Sequence, residues 1–306
     1  MKKLDMDFVR SQFPAFTEPS MEGWAFFESA GGSYPCRQFI DRLSGFYMKN
    51  KVQVNYPYPA SMKAGELMEA SYKRMADYLN VDELDIHFGP STTQNVYVLA
   101  NAMRPLWEDG DEIIVSCQDH EANSGAWRRL ADRGMKIREW HVDPETGLLD
   151  PADLEELFSS RTKMVAFPHC SNVIGHINPA KNISRMIHDH GALSVVDGVG
   201  YAPHGFPNLK DLDADIYLFL ALQNLRSASW LNVCQTSPGG KHGKSVPFFQ
   251  RRLCKKHADA GRSRSRANRV SRRDPGLFRY SLSISYGRGE KVLREKCVRR
   301  GAVQRT

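Results

Sequence analysis

The spacing of apolar residues predicts alternating strands and helices between residues 85 and 220. Short apolar runs without helical spacing predict strands at 86–88, 112–116, 136–141, 164–168, 193–196 and 216–221. Apolar residues three or four positions apart predict a helix that follows residue 95 and ends at Met103, and helices at 123–133, 151–159 and 179–190, with Asp150 as a cap. Such alternation is typical of an α/β domain with a mostly parallel sheet and helices on both faces.

The first 80 residues have a less regular pattern. It predicts a short amphipathic helix within 1–17, a strand at 24–34 that runs into a glycine turn, and helices at 37–49 and 64–79. We expect the apolar faces of the last two helices to belong to the core. These faces contain Ile40, Leu43, Phe46, Tyr47, Met68, Tyr72, Met75 and Tyr78.

The segment 89–93, Gly-Pro-Ser-Thr-Thr, lies between a predicted strand and a predicted helix start. Ser91, Thr92 and Thr93 supply hydroxyl groups beside the free N–H groups of a helix N-terminus, which suits a phosphate. Serine and threonine are also ordinary helix caps, so the segment alone is weak evidence. It lacks the Gly-Lys-Ser/Thr of a P-loop and any G-x-G-x-x-G, which disfavours nucleotide binding.

Three further polar groups follow predicted strands. His120 comes after the strand at 112–116, where a neutral imidazole can lie on a heteroaromatic ring or relay protons; the alternative is a capping loop with Asn123 as the helix cap. Neither a H-x-x-x-H nor a H-E-x-x-H motif supports a metal at His120. Asn172 follows 164–168 and supplies an amide donor for a phenolate-type oxygen or makes a turn. Asp197 ends 193–196, as a buried acid or as a cap.

These groups together describe a site for pyridoxal phosphate, whose pyridinium nitrogen needs a carboxylate partner. The segments 28–33 (ESAGGS), 91–95 (STTQN), 119–123 (DHEAN), 170–175 (CSNVIG) and 196–205 (VDGVGYAPHG) resemble, in order and spacing, the class V aminotransferases of the cysteine desulfurase-like branch. The resemblance covers about residues 7–220.

The resemblance implies an α/β fold, the large domain of fold type I of the pyridoxal phosphate-dependent transferases, over residues 1–220, without the C-terminal small domain. It implies that Ser91, Thr92 and Thr93 bind the phosphate, His120 stacks on the ring and Asn172 contacts the ring oxygen. Asp197 then pairs with the ring nitrogen, and His204 completes the cofactor contacts. Gly200 stands where many relatives carry a polar side chain. Relatives are usually homodimers that act on small amino acids.

The family pattern fails at one residue. Where the family has Phe-Ser-Leu-Tyr-Lys-Thr-Tyr-Gly-Pro-His, this chain reads FLALQNLRSAS from residue 219, and Gln223 occupies the place of the lysine that forms a Schiff base with the cofactor. A glutamine amide is not nucleophilic, so we expect the chain to be inactive. If 221–229 is encoded GCT CTA CAA AAC CTA CGG TCC GCA TCA, reading one base later restores Leu-Tyr-Lys-Thr-Tyr-Gly-Pro-His. We therefore interpret the sequence as containing an extra nucleotide near codons 219–220, with everything after it out of frame.

The distribution of charge changes at the same place. Residues 1–220 contain 21 Lys+Arg against 31 Asp+Glu, a net charge of −10, whereas 221–306 contain 21 against 4, a net charge of +17. In isolation the Arg-rich segment 262–273 resembles a nucleic-acid-binding arm. A shifted frame explains both the basic tail and the missing lysine, so we expect a disordered tail and no nucleic-acid binding. The alternative is a non-catalytic binding protein with a nucleic-acid-binding tail.

Other features place the chain among cytoplasmic globular proteins. The sequence is 41% hydrophobic but has neither an apolar run of about 18 residues nor a signal peptide, which argues against a membrane protein. Its six cysteines are scattered without a disulfide-like framework, so we expect reduced thiols and assign none of them a role. The cysteines are Cys36, Cys117, Cys170, Cys234, Cys254 and Cys297.

Overall fold

A seven-stranded sheet forms the centre of the fold in a computed structural model. The structure describes residues 4–27, 32–205, 207–220 and, by backbone alone, 230–234. The strands are β1 (Ile86–Gly89), β2 (Glu112–Ser116), β3 (Lys136–Trp140), β4 (Thr162–Pro168), β5 (Leu193–Asp197), β6 (Ile216–Phe219) and β7 (Trp230–Cys234). Their order is β1-β7-β6-β5-β4-β2-β3, and β7 is antiparallel to both of its neighbours. This confirms the predicted mostly parallel α/β sheet.

Helices cover both faces of the sheet. The helices are α1 (Met6–Ser11), α2 (Arg37–Lys49), α3 (Pro59–Leu79), α4 (Thr92–Met103), α5 (Glu121–Arg128), α6 (Pro151–Leu157), α7 (Ala180–Asp189) and α8 (Leu209–Leu212). Short 3₁₀ helices lie at Pro14–Thr17, Pro19–Met21, Glu83–Asp85, Arg104–Leu106, Arg129–Arg133 and Ala202–His204. The Asp150 carboxylate accepts a hydrogen bond from the Ala152 N–H at 2.8 Å, as the sequence predicts for the start of α6.

The central strands send successive side chains to opposite faces, and both faces are apolar. Ile114 and Val165 pack with α3, α6 and α7 on one face, whereas Ile113 and Met164 pack with α4 and α5 on the other. This is why these strands read as continuous apolar runs and not as alternating ones. Two clusters of buried side chains therefore hold the sheet rigid between its helices.

The direction of the strands places the candidate chemistry on one edge of the sheet. Strands β2, β4, β5 and β6 are parallel to one another. Strand β7 lies between β6 and β1 and is antiparallel to both, so β1 runs in the same direction as β6. The loops that follow these strands therefore begin at one common edge, the carboxyl edge. Ligands in open α/β sheets bind in the crevice outside this edge.

Two expectations for the first 80 residues are wrong. Residues 24–27 and 32–34 form no strand, and residues 28–31 lie outside the described part. Helix α2 buries none of its side chains; Tyr47 is 52% exposed, and Tyr78 of α3 is 66% exposed. Periodicity predicted the helices correctly but not the exposure of part of their apolar faces, which include Ile40, Tyr47, Met68 and Tyr78. Tyr72 and Met75 alone of the predicted set pack against the core.

The basic segment is described over five residues only. Strand β7 pairs with β1 and β6, so the expectation of disorder after residue 220 is wrong for residues 230–234. The rest of the tail, including Gln223, lies outside the described residues. No helix in the described ranges is long and apolar enough to cross a membrane.

Candidate functional site

The predicted phosphate cradle lies at the start of α4. The Ser91 hydroxyl accepts a hydrogen bond from the Gln94 N–H at 2.9 Å, so Ser91 caps the helix. Thr92 is buried and Thr93 is exposed. The N–H groups of both threonines belong to the first turn, where no intrahelical acceptor exists. The cradle therefore offers backbone donors and the positive end of a helix dipole to an anion.

Two buried polar atoms of this cradle have no hydrogen-bond partner. They are the Thr92 hydroxyl oxygen and the Asn95 amide nitrogen, the only such side-chain atoms among the described residues. A Cβ atom on Gly89 would lie 1.7 Å from the Asn95 carbonyl oxygen, so the turn before α4 needs glycine to come this close. Leaving buried donors unpaired is costly. Phosphate oxygens, which accept hydrogen bonds, fit these donors. Asn95 belongs to the segment 91–95, but the sequence does not indicate that its side chain is buried.

His120 caps α5, a role for which the sequence offers Asn123. Its Nδ1 accepts a hydrogen bond from the Ala122 N–H at 3.0 Å. An accepting Nδ1 carries no proton, so the neutral ring holds its proton on Nε2. The side chain is exposed at the carboxyl edge. The ring is therefore held in one orientation and one tautomer, and a cofactor ring can stack on it.

Asn123 holds the loop of His120 from inside the protein. Its amide nitrogen donates to the Asp119 carboxylate at 2.6 Å, and its carbonyl oxygen accepts from the indole nitrogen of Trp127 at 3.2 Å. Asn123 and Trp127 are fully buried. The same Asp119 accepts from the His120 N–H at 2.8 Å. Because Trp127 is fixed in the core, this chain of bonds fixes the residue next to His120.

Asp197 ends β5 as a buried carboxylate. One of its oxygens accepts a hydrogen bond from the Val199 N–H at 2.8 Å. Burial raises the pKa of Asp197 to about 6, although the hydrogen bond from the Val199 N–H acts against the rise. No salt bridge of the described residues involves Asp197. A buried acid without a cation is a place where a cationic ligand is stabilised.

A second acid lies beside Asp197. Burial and, next, the charge of Asp197 raise the pKa of Asp119 well above its ordinary value. The interaction places Asp119, His120 and Asp197 in one electrostatic neighbourhood, which brings the ends of β2 and β5 together as the sequence predicts. Two acids that repel each other favour a ligand that carries positive charge into the site.

Asn172 and His204 lie at the same edge but are exposed. Asn172 follows β4 in a turn where the Ser171 hydroxyl accepts from the Val173 N–H at 3.3 Å. His204 ends the 3₁₀ helix Ala202–His204 after β5. The structure places both after the predicted strands, and their roles as cofactor contacts remain proposals.

Three aromatic side chains near Asp197 are not recognisable as site residues from the sequence. His169, directly after β4, is buried against Tyr201 and Tyr217. Burial lowers the pKa of His169 to about 4, so its imidazole is neutral at neutral pH. No sequence motif marks this group, because its members come from the loop after β4, from β6 and from the loop between β5 and β6 and meet only in the folded sheet.

Gly200 has no room for the side chain that many relatives carry. A Cβ atom there would lie 2.6 Å from the carbonyl oxygen of Cys170, which is backbone and has little freedom to move. The loop after β5 therefore packs directly on the loop after β4. Gly200 has no polar side chain for the contact that the family pattern implies at this position, and the nearby backbone leaves no space for one.

We expect Gly200→Ala to lower the free energy of unfolding by about 1–3 kcal/mol, since it forces this contact apart. Gly45→Ala is the matched control: nothing lies within 4 Å of its added Cβ. In the middle of α2 that change should stabilise by about 0.5–1 kcal/mol. Urea unfolding followed by circular dichroism measures both; equal stability of Gly200→Ala and the unaltered chain would contradict the close packing.

The arrangement can bind an anion at one end and a cation at the other, about a flat ring that His120 can cover. Among the described residues no group of three His, Cys, Asp or Glu side chains is placed to hold a metal ion. The position of Gln223, the expected lysine, falls outside the described residues. The described residues therefore supply a binding site whose one end suits an anion and whose other end suits a cation.

Comparison with known proteins gives one consistent picture. A family model described as aminotransferase class-V matches residues 25–222. An aminotransferase-like protein of Gibberella zeae is 35% identical over 218 residues, which are 69% of this chain and 53% of that protein. The chain thus spans about half the length of that relative.

Two further likenesses extend the picture. A nonribosomal peptide synthetase-like enzyme of Aspergillus fumigatus is 32% identical over 263 residues, 85% of this chain and 16% of that protein, so this likeness continues past residue 222. The apo structure of a cysteine desulfurase from Thermococcus onnurineus matches with a TM-score of 0.69 and 25% identity, over 77% of this chain and 58% of that one.

Proposed function

Because the chain belongs to the class V aminotransferase family, in its cysteine desulfurase-like branch, we propose that it is the cofactor-binding part of a pyridoxal phosphate-dependent enzyme that acts on a small amino acid. Pyridoxal phosphate is the cofactor of this family. We also propose that the chain pairs with a second copy, as its relatives usually do.

The observation that carries this proposal is the combination of Asp197 and Thr92. One is a buried acid without a cation, and the other is a buried hydroxyl without a partner at a helix N-terminus. Pyridoxal phosphate has a basic ring nitrogen and a phosphate, so it satisfies both groups. When bound, its ring withdraws electrons from the amino acid.

Each residue of the chain has a physical task in this proposal. The first turn of α4, with Thr92 and Thr93, binds the phosphate, and Ser91 holds that turn in place. The Asp197 carboxylate keeps a proton on the ring nitrogen. His120 covers the ring as a neutral imidazole with its proton on Nε2, and Asn172 donates to the ring oxygen. His204 belongs to the same edge.

The chain as written lacks one residue that such an enzyme needs. A lysine must attach the cofactor covalently and move the proton of the substrate, and Gln223 can do neither because its amide nitrogen is not nucleophilic. We propose that an extra base near codons 219–220 displaces the reading frame. The net charge of −10 before residue 221 and +17 after it supports this, since one event accounts for both the charge and the lysine.

The frame proposal is compatible with a strand at residues 230–234. The Trp230 codon followed by any leucine codon reads as glycine one base later. The codons of residues 230–234 then allow Gly-Leu-Met-Tyr-Val, an apolar run suited to a central strand. Residues 248–268 allow FFNAGFAKNTLTPAGPDHAQI in the same frame, which resembles a later segment of the family.

We expect Thr92→Val to weaken non-covalent binding of pyridoxal phosphate about tenfold, because the valine replaces a buried donor to the phosphate. Binding of pyridoxal, which has no phosphate, should not change. Quenching of tryptophan fluorescence measures both ligands. Thr17→Val, which alters an exposed threonine outside the site, is the control. If the unaltered chain binds pyridoxal as tightly as pyridoxal phosphate, the assigned cradle is wrong.

A further inference from the structure

His169 is a buried polar residue in an apolar layer. It follows β4 directly, and its Nδ1 and the Tyr217 hydroxyl share a hydrogen bond of 2.9 Å. Its ring stacks on Tyr201, with centroids 3.8 Å apart and planes 14° apart, and meets the Tyr217 ring edge-on. Burying an imidazole and a phenol destabilises a fold unless they bond to each other. The pair is therefore a built feature of this layer.

Tyr217 supports the turn that follows Asp197. A Cβ atom on Gly198 would lie 2.2 Å from both the hydroxyl oxygen and the adjacent ring carbon of Tyr217. The Gly198 N–H donates to the Leu218 carbonyl at 2.6 Å, which ties the turn to β6. The turn thus rests on the end of Tyr217 that bonds to His169.

The turn also fixes the Asp197 carboxylate. The His169 N–H donates to the Asp197 carbonyl at 2.7 Å, so His169 holds the backbone of this residue. The Val199 N–H donates to the Asp197 carboxylate at 2.8 Å, so the position of Val199 sets the orientation of the carboxylate. The N–H groups of Tyr201 and Ala202 donate to the Gly198 carbonyl at 3.0 and 2.8 Å and close the turn.

We infer that His169 and Tyr217 form a positioning pair that holds residues 197–202 and thereby fixes the orientation of the Asp197 carboxylate at the carboxyl edge. The pair acts through Asp197 and does not itself contact the cofactor. Its importance for the cofactor rests on the proposed function, whereas its effect on the turn does not.

Amide hydrogen exchange of the unaltered chain and its variants tests the inference without cofactor. Tyr217→Phe removes the hydroxyl and keeps the ring. We expect exchange at the Val199 N–H to become about tenfold faster, relative to the Ile114 N–H of β2, because the turn opens locally more often. His190→Asn is the control: His190 stacks on Phe158 at 4.0 Å and bonds to Glu155, away from the site.

Variants at His169 keep the test decisive if Tyr217→Phe fails to fold. His169→Asn retains an acceptor and donor near Nδ1 and should keep Val199 exchange within about twofold of the unaltered chain, whereas His169→Val should speed it about tenfold. Equal Val199 exchange in all chains, or an equal effect of His190→Asn, would overturn the inference.

Binding of pyridoxal phosphate separates this inference from the proposed function. We expect the variants with fast Val199 exchange to bind the cofactor more weakly than His169→Asn does. If no chain binds it, the proposed function fails and the exchange result still decides the inference. If all chains bind it equally while Val199 exchange differs, the pair holds the turn without serving the cofactor, and the link to Asp197 is wrong.

Discussion

Deletion of one base near codon 219 is expected to yield a chain that binds pyridoxal phosphate covalently at residue 223. The unaltered chain should form no adduct at that residue, and the repaired chain should bind about one cofactor per chain, because a lysine amine attacks the aldehyde of the cofactor and a glutamine amide does not. Borohydride reduction followed by mass spectrometry of the peptides locates the adduct.

Two controls distinguish the effect of the lysine on adduct formation from the effect of the other residues of the restored frame. Replacing the restored lysine by alanine in the repaired chain should abolish the adduct. Gln223→Lys in the unaltered chain should restore little of it, because the residues after 223 still come from the displaced frame. A reducible adduct on another lysine of the unaltered chain, such as Lys210, would contradict the assignment of residue 223.

Asp197→Asn is expected to raise the free energy of unfolding of the cofactor-free chain at pH 7.5 while it weakens cofactor binding. Burial raises the pKa of Asp197 to about 6, above the value of about 3.9 in an unfolded chain. The folded state therefore resists ionisation: the loss of stability is absent below about pH 4, grows between about pH 4 and pH 6, and is complete above pH 6. A shift of about two pKa units corresponds to about 3 kcal/mol at pH 7.5.

Unfolding in urea at pH 4 and pH 7.5 measures this effect. The unaltered chain should lose stability relative to Asp197→Asn over that interval. Asp211→Asn, which removes an exposed carboxylate paired with Lys181, is the control and should change stability little at either pH. If Asp197→Asn is no more stable than the unaltered chain at pH 7.5, Asp197 is not the strained, cation-seeking acid described above.

The sequence predicts the sheet and its carboxyl edge well, for a physical reason. Strands β4 and β5 are buried on both faces, so each contains an apolar run, 164–168 and 195–196, that is followed directly by a polar residue, His169 and Asp197. The sequence therefore shows that the buried strand ends at Asp197, and the family resemblance identifies the ring nitrogen of the cofactor as the partner of this acid. The cradle at Thr92 is visible for a similar reason, because small and hydroxylated residues mark the start of α4.

The sequence predicts less where a property depends on residues distant in the chain. Asn123 reads as a cap, yet His120 makes the cap bond and Asn123 bonds to Asp119 and Trp127. Both choices have the same local pattern, and packing of Trp127 decides between them. His169 follows β4 and Tyr217 belongs to β6, so the pair forms only in the folded sheet, and the exposure of α2 depends on what lies beside it. Periodicity contains none of this information.

The nucleotide sequence of codons 215–270 tests the displaced frame most directly. We predict that codon 223 is CAA, since with the adenine that begins codon 224 it then reads as lysine one base later, and that this frame stays open through the codons of residues 230–234 and 248–268. A CAG codon reads as arginine instead. That result, or a stop codon in the shifted frame, would contradict the account. The basic tail would then be a genuine product of the gene, as the likeness to the Aspergillus fumigatus enzyme past residue 222 would suggest.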